Sequence, residues 1–276
     1  MRFLLAIVAL AGCPMPGRDI SYEGGDGGDD TDVVATTCGE DVDRSKGFSV
    51  EGTTLDLGTG GTATAGLCIS AVDPTPAITG GEPTVLGSSE VCDDGNFVVA
   101  GIESAPSIGM FLLIDDCDDA TGDTVMLTAT GIPPEAIAEL GDGDSLTGVE
   151  ALSVSLEWLA VMQADLETVG WSGDLGEAGY MAGVVEDAEG NPVSGAHVAS
   201  PDPYVTYYED ATAEDGIYGA GATANTETSA DAGGLFMIPD APIFTYTCED
   251  GGAHEWESTL LGSLPGYAVY IRFTAQ

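Results

Sequence analysis

The fold of this chain is decided by the run Gly183-Val184-Val185-Glu186-Asp187-Ala188-Glu189-Gly190-Asn191-Pro192-Val193-Ser194-Gly195-Ala196-His197-Val198. It starts with apolar, β-branched residues, passes through a polar turn and returns to apolar residues at Val193, Ala196 and Val198. Within the turn, Gly190 and Asn191 tolerate positive φ angles, and the proline that follows them restrains the exit. The run therefore predicts a strand, a turn and a second strand that share a buried face.

Landmarks of this region occur twice in the chain, in the same order. Each copy contains a glycine followed by alternating apolar residues and an Asp-Pro exit, then an acidic turn before an apolar strand, then Ala-Pro upstream of a cysteine. The matched pairs are 66–74 with 195–203, 93–99 with 231–237, and Ala105-Pro106 before Cys117 with Ala241-Pro242 before Cys248. The shared order indicates an internal duplication, and short β-type runs between turns predict a β-sandwich in each copy.

The hairpin run, together with Asp231-Ala232-Gly233-Gly234-Leu235-Phe236, resembles the carboxypeptidase regulatory-like family. This resemblance covers roughly 178–248 and, more weakly, 47–117, where Gly58-Thr59-Gly60-Gly61-Thr62 stands in place of the Gly-Asn-Pro turn. It implies a transthyretin-like β-sandwich that serves as a spacer or binding unit and has no catalytic activity of its own. The fold class expected is thus mainly β, with two transthyretin-like or Ig-like sandwich modules joined by a helical segment.

The segment between the two copies reads as helical. Ile132–Gly141 has prolines near its start and a glycine at its end, which is typical of a short helix. A longer helix is predicted from about Gly148 to Thr168, capped by Ser145 or Thr147, because apolar residues recur every three or four positions. Its apolar stripe either packs against a sandwich or docks a partner protein.

The N-terminus carries an export signal. Arg2 precedes the apolar run 3–10, which is too short to cross a bilayer, and the run ends in Leu10-Ala11-Gly12-Cys13. This ending resembles the lipobox of bacterial lipoproteins, which implies cleavage before Cys13 and attachment of lipid to that residue. Because Pro14 follows the cysteine in place of an aspartate, the resemblance favours the outer membrane or cell surface over the inner membrane. The alternative is an ordinary cleaved signal peptide.

The following residues are rich in glycine and aspartate and contain few apolar side chains, so they predict a flexible, self-repelling tether. Their spacing does not match an EF-hand loop. The predicted organisation is a signal peptide at 1–12, an acidic tether at 13–36, a first β-sandwich at 37–128, a helical connector at 129–170 and a second β-sandwich at 171–276.

Once Cys13 is lipidated, an odd number of cysteines remains, so at least one thiol is left without a partner in the chain. An exported protein can form disulfides. We expect Cys68 to pair with Cys92 and Cys38 with Cys117. Zinc is the competing interpretation, but the sequence has no Cys-x-x-Cys pair and its two histidines, His197 and His254, lie far apart along the chain.

Charge is the extreme feature of the composition, with 47 acidic residues against 5 basic ones. Such a surface repels phosphate backbones, which excludes nucleic acid as a partner. The acids are spread along the whole chain, which is typical of general solubility or of adaptation to saline surroundings. Their alternative use is to attract divalent cations.

Two groups of side chains are candidate sites. The densest acidic stretch could offer calcium its preferred oxygen ligands, although a solvated loop is the competing interpretation; its members are Asp115, Asp116, Asp118, Asp119 and Asp123. Tyr204, Tyr207 and Tyr208 fall in the long loop of the second copy, where sandwich folds often bind ligands.

No catalytic motif stands out, and among so many carboxylates a glycosidase-like pair has no distinguishing signal. The function expected is that of a non-catalytic lipoprotein anchored by lipid on Cys13, which acts as a surface or periplasmic binding or structural module with an unidentified protein or polysaccharide partner. No cofactor is expected apart from possible calcium. The alternatives are a calcium-dependent adhesion protein and a secreted hydrolase.

Overall fold

A computed structural model describes residues 43–63, 66–76, 83–117, 123–209, 218–219, 227–228 and 233–276. The described chain is mainly β, as predicted. The strands of the first half are β1 Phe48–Asp56, β2 Leu67–Asp73, β3 Thr84–Glu90, β4 Asn96–Ile102, β5 Met110–Asp116, β6 Val125–Met126, β7 Thr128–Ile132 and β8 Ser145–Ser155. Those of the second half are β9 Tyr180–Glu186, β10 His197–Val198, β11 Tyr207–Glu209, β12 Tyr218–Gly219, β13 Leu235–Pro239, β14 Phe244–Tyr246, β15 Cys248–Glu249, β16 Thr259–Leu261 and β17 Ala268–Thr274. The helices are α1 Pro134–Ile137, α2 Leu156–Thr168 and α3 Leu175–Ala178.

The strands form one large sheet and three smaller ones. The nine-stranded sheet has the order β12-β11-β13-β9-β17-β7-β5-β2-β3, and a four-stranded sheet has the order β4-β1-β8-β6. Two short pairs, β10-β15 and β14-β16, complete the second half. The two halves of the chain therefore contribute to a single continuous sheet.

The last strand joins the two halves. β17 runs parallel to β9 on one side and to β7 on the other, so that Ala268 is paired with both Tyr180 and Thr128. β7 begins at the last residue of the predicted first sandwich and pairs with β5 of that sandwich, whereas β9 belongs to the second. The two predicted modules thus share backbone hydrogen bonds through β17, in addition to being linked along the chain.

Alternation along the strands gives the large sheet an apolar surface on both faces. On β5, Met110, Leu112 and Ile114 pack into a core beneath the four-stranded sheet, whereas Leu113 packs into a core on the opposite face. That opposite core also takes in residues from β9, β13 and β17 of the second copy. A third cluster lies between α2, α3 and the second half of the large sheet, and Tyr180 is buried in it.

Strand pairing repeats between the copies. β1 pairs antiparallel with β4 and parallel with β8, and β9 pairs antiparallel with β13 and parallel with β17. Likewise β2 pairs with β5 and β10 pairs with β15, both antiparallel. The copies also differ, because β3 pairs with β2 whereas β11 pairs with β13. In addition, β5 pairs with both β2 and β7, whereas β15 pairs with β10 alone in the described structure. This repeated pairing agrees with the duplication inferred from the sequence landmarks.

The hairpin at 183–198 forms as predicted at its turn. The Asp187 carboxylate accepts hydrogen bonds from the backbone N–H groups of Glu189 and Asn191 at 3.0 and 2.8 Å. Val193 then donates to the carbonyl of Val185 at 2.9 Å. Beyond that bond the chain leaves β9, and β10 pairs with β15 instead. The buried positions expected at Val193, Ala196 and Val198 are confirmed.

Less than half of the predicted helical connector at 129–170 is helical. Its residues include β7 and β8, so the long helix expected from Gly148 is wrong before Leu156. β8 pairs along β1 from Ser145 to Ser153, and this strand pairing overrides the helical spacing of its apolar residues. The true N-cap is Ser155, whose hydroxyl accepts from the N–H of Trp158. Met162 and Leu166 are buried against the large sheet, so that part of the stripe packs internally.

Candidate functional site

The described residues include only some of the predicted site. Cys13, Cys38, Asp118 and Asp119 lie outside the described ranges. Within those ranges, no helix combines the length and the apolar character that a membrane span needs. The lipidation of Cys13 therefore stays a prediction from the sequence.

The expected disulfide pairing is wrong. Cys68 is bonded to Cys117, with their Cα atoms 4.9 Å apart. β2 and β5 are antiparallel neighbours, and this pairing brings the start of β2 beside the end of β5. Cys92 is also disulfide-bonded, but its partner cannot be Cys68. The bridge thus joins two strands in the middle of the first copy's part of the large sheet.

Cys248 is the free cysteine of the described chain, as the odd number of cysteines led us to expect. It lies on β15 opposite Val198 and is 2% exposed. Burial, and secondarily the charge of Asp250, raises the pKa of its thiol. A buried thiol of this kind is unreactive, so Cys248 acts as a core residue.

The acidic stretch that was a calcium candidate is partly committed to local hydrogen bonds. The Asp116 carboxylate accepts from the backbone N–H groups of Thr124 and Val125, at 2.7 and 3.1 Å, and from the Thr124 hydroxyl. These bonds hold the end of β5 against the start of β6. Among the residues that the structure describes, no three acidic, histidine or cysteine side chains are grouped as metal ligands, and Asp115, Asp116 and Asp123 are no exception.

The three tyrosines are placed mainly in packing. Tyr207 and Tyr208 lie on β11 and are buried on opposite faces of the large sheet, while Tyr204 packs against the core at its margin. The Tyr208 hydroxyl accepts from the N–H of Val198 at 2.8 Å and lies 3.1 Å from Nδ1 of His197. The Tyr208 hydroxyl thus links β11 to β10, and the tyrosines offer a ligand little exposed surface.

A buried carboxyl that the sequence did not single out follows these tyrosines. Glu209 ends β11, and its Oε2 has no hydrogen-bond partner although it is shielded from solvent. Burial raises the pKa of Glu209 to about 7. Its charge state therefore changes near neutral pH, unlike that of an exposed glutamate.

A second arrangement that the sequence did not predict lies between β15 and β16. Nδ1 of His254 and Oδ2 of Asp250 are 2.5 Å apart, and the other carboxylate oxygen accepts from the N–H groups of Ala253 and His254. Burial alone raises the pKa of Asp250, but the hydrogen bonds from His254 and Ala253 lower it to about 2. The spacing of four residues was visible in the sequence, but nothing there indicated that this loop would bury Asp250.

This Asp–His pair orders its own loop. A histidine held through Nδ1 presents Nε2 as the nitrogen that can take a proton or a ligand. The ring of His254 meets Trp256 edge-on at 5.8 Å between centroids, and Trp256 forms a β-bridge with Ala275 at the end of the chain. The pair thus connects the 250–256 loop to the end of β17.

One apolar groove lies where the two halves meet. It runs between Val72 and Phe111 of the first copy and Leu264, Tyr267 and Val269 of the second. Its free volume is about 40 Å³, far below the several hundred Å³ typical of small-molecule sites. The groove marks the seam between the modules.

Comparison with known proteins leaves the family open. No family model matches the chain, and no curated protein sequence matches it. The resemblance to the carboxypeptidase regulatory-like family therefore remains a prediction.

Several solved structures show a weak likeness. The Bacillus anthracis TIE protein is 10% identical with a TM-score of 0.25, over 84% of this chain and 34% of that one. Shaft pilin SpaA from Lactobacillus rhamnosus GG is 12% identical with a TM-score of 0.25, over 84% of this chain and 98% of that one. A streptococcal ancillary pilin is 12% identical with a TM-score of 0.23, over 85% of this chain and 64% of that one. This chain spans about a third of the length of the TIE protein. Likenesses with TM-scores this low support no conclusion about function.

Proposed function

We propose that this chain is an exported lipoprotein whose two fused β-sandwich modules act, without catalysis, as a binding or structural unit on the outer side of the cell. The observation that carries the proposal is Leu10-Ala11-Gly12-Cys13 directly after a short apolar run, ahead of a mainly β body. Acyl chains on Cys13 would hold the body at a membrane, because each buried methylene contributes about 0.8 kcal/mol.

The body suits a structural role. β17 is hydrogen-bonded to both halves, so the modules are held in one orientation and cannot swing about a linker. Some of the carboxylates that could have formed a catalytic or metal site instead accept hydrogen bonds from the backbone of nearby turns, as Asp116 and Asp187 do. The groove at the seam is too small for a substrate. These features favour display of a rigid surface over chemistry in a cleft.

The anchoring half of the proposal is tested by labelling. The full chain, expressed in a bacterial host, should incorporate labelled palmitate and fractionate with membranes. Cys13→Ala should abolish both, whereas the matched control Cys248→Ala, which removes another cysteine, should keep both. A Cys13→Ala chain that stays in the membrane fraction would overturn the anchoring mechanism. Separation of the two membranes on a density gradient then reports whether the outer membrane is the destination.

The calcium-dependent alternative is tested by thermal unfolding. We expect a chelator, added at constant ionic strength, to leave the unfolding midpoint unchanged. A fall in the midpoint that calcium alone reverses would favour the adhesion alternative.

A further inference from the structure

Acidic residues outnumber basic residues so strongly that most carboxylates have no basic side chain to pair with. The whole sequence has 47 acidic and 5 basic residues, a formal net charge of −42. The basic residues of the described chain already lie beside carboxylates. Nε of Arg44 is 3.1 Å from Glu51, and Arg272 reaches Glu150 and Glu186 at 2.9 and 3.3 Å. The charge of the remaining basic residue, Lys46, helps to lower the pKa of Asp43.

Local hydrogen bonds also keep acidic groups of the turns charged and in place. The N–H and the side-chain amide of Asn96 donate to the Asp94 carboxylate and lower its pKa. The side chain and N–H of Asn191 do the same for Asp187. Neither carboxylate can relieve repulsion by moving away without losing the bonds that form its turn.

We propose that cations from the surrounding medium stabilise this fold, gathered around its whole surface without a dedicated coordination site, so that the body loses stability as the ionic strength falls. A net charge this far from zero opposes compaction by self-repulsion. Ions shorten the range of that repulsion from about 30 Å at 0.01 M to about 3 Å at 1 M. The ligand class is therefore any small cation. This inference does not depend on membrane anchoring.

The first test is thermal unfolding of the full chain carrying Cys13→Ala, in sodium, potassium and choline chloride. The midpoint should rise by more than about 5 °C between about 0.02 M and 1 M salt, and equally in all three. Magnesium should produce the same rise at lower concentration. A midpoint that does not depend on salt would overturn the proposal, and so would a rise that only one cation produces, since that would indicate a specific site.

The second test removes charge without touching structure. Six of the exposed glutamates whose side chains make no hydrogen bond or ion pair in the described structure are Glu90, Glu103, Glu139, Glu189, Glu249 and Glu257. Changing all of them to Gln should raise the midpoint at low salt. It should also reduce the salt-dependent rise by about a quarter, because the repulsive energy grows roughly as the square of the net charge.

The matched control changes the same six residues to Asp, which keeps the charge and shortens the side chains. This variant should keep the salt dependence of the parent. If the Gln variant also keeps the parent's dependence, repulsion between surface charges is not what salt relieves and the proposal fails. Membrane anchoring is read separately by palmitate labelling, so the two proposals can fail independently.

Discussion

Gly87 lies so close to Ala100 that a Cβ on Gly87 would come within 2.9 Å of the Ala100 carbonyl oxygen. Gly87 is on β3, at one edge of the nine-stranded sheet, and Ala100 is on β4, at one edge of the four-stranded sheet. The edge strands β3 and β4 therefore cover one another at the side of the first sandwich. Mutual cover of this kind protects strand edges that would otherwise pair with other molecules.

We expect Gly87→Ala to destabilise the protein by about 1–2 kcal/mol, because the methyl group meets backbone that cannot move aside. The measurement is the midpoint of urea unfolding. Gly131→Ala is the control, since a Cβ there would lie 3.4 Å from the Phe111 ring, an ordinary contact. Equal stability of the two variants would show that β3 and β4 are not in close contact.

The Cys68–Cys117 bridge closes a loop with a sequence separation of 49. Replacing both cysteines by Ala should lower the free energy of unfolding by about 2–4 kcal/mol, mainly because the unfolded chain is no longer restrained. The loss is read from chemical unfolding of the oxidised protein. Cys248→Ala should cost less, because it removes no cross-link. Recovery of a peptide that links Cys68 to Cys92 would contradict the pairing.

Glu209 makes stability depend on pH near neutrality. Its pKa is about 7 in the folded protein, above the ordinary value of 4.5. The folded state therefore favours the protonated form, and stability falls as the pH rises from about 4.5 to about 7. Glu209→Gln should remove this fall and raise stability at pH 8 by about 1 kcal/mol, less than the full shift implies because the side chain is partly screened by solvent. Unfolding across this pH range measures the effect, and the exposed Glu249→Gln should leave the profile unchanged.

Asp250 acts in the opposite sense. Its pKa of about 2 lies below the ordinary 3.8, so its contribution to stability is complete above about pH 4 and is lost as the pH falls towards 2. His254→Ala should raise the pKa of Asp250, which carboxyl NMR can follow, and should move acid unfolding to higher pH. His197→Ala removes the other histidine and should do neither. An unchanged Asp250 in the His254 variant would show that the pair at 2.5 Å does not set its pKa.

The shared sheet predicts one cooperative transition. Ala129 on β7 and Val269 on β17 pack in the same core as Phe236 of the second copy, so neither half can unfold without exposing the other. Thermal unfolding followed by circular dichroism and by calorimetry should give coincident transitions. Two separate transitions would show that the modules are independent.

Much of the fold could be read locally. The turn at Asp187–Asn191 forms as expected because its residues hydrogen-bond to one another and need no distant partner. The repeated landmarks also correspond to strands with repeated pairing. The sequence predicts the start of α2 too early, because Leu152 and Leu156 share a helical spacing, whereas pairing with β1 keeps Leu152 in a strand. The candidate sites could not be predicted in the same way. The burial of Glu209 and Asp250 and the pairing of the cysteines depend on residues far apart in the sequence.

The amino-acid sequence by itself determined the acidic composition and the mainly β class, and it predicts an export signal and a duplication, because each follows from composition or from short patterns. Only the tertiary structure decided that Cys68 meets Cys117 and that β17 joins β7 to β9. Those choices depend on which strands become neighbours. Which strands become neighbours depends on burial over the whole sheet, and short sequence patterns do not determine it.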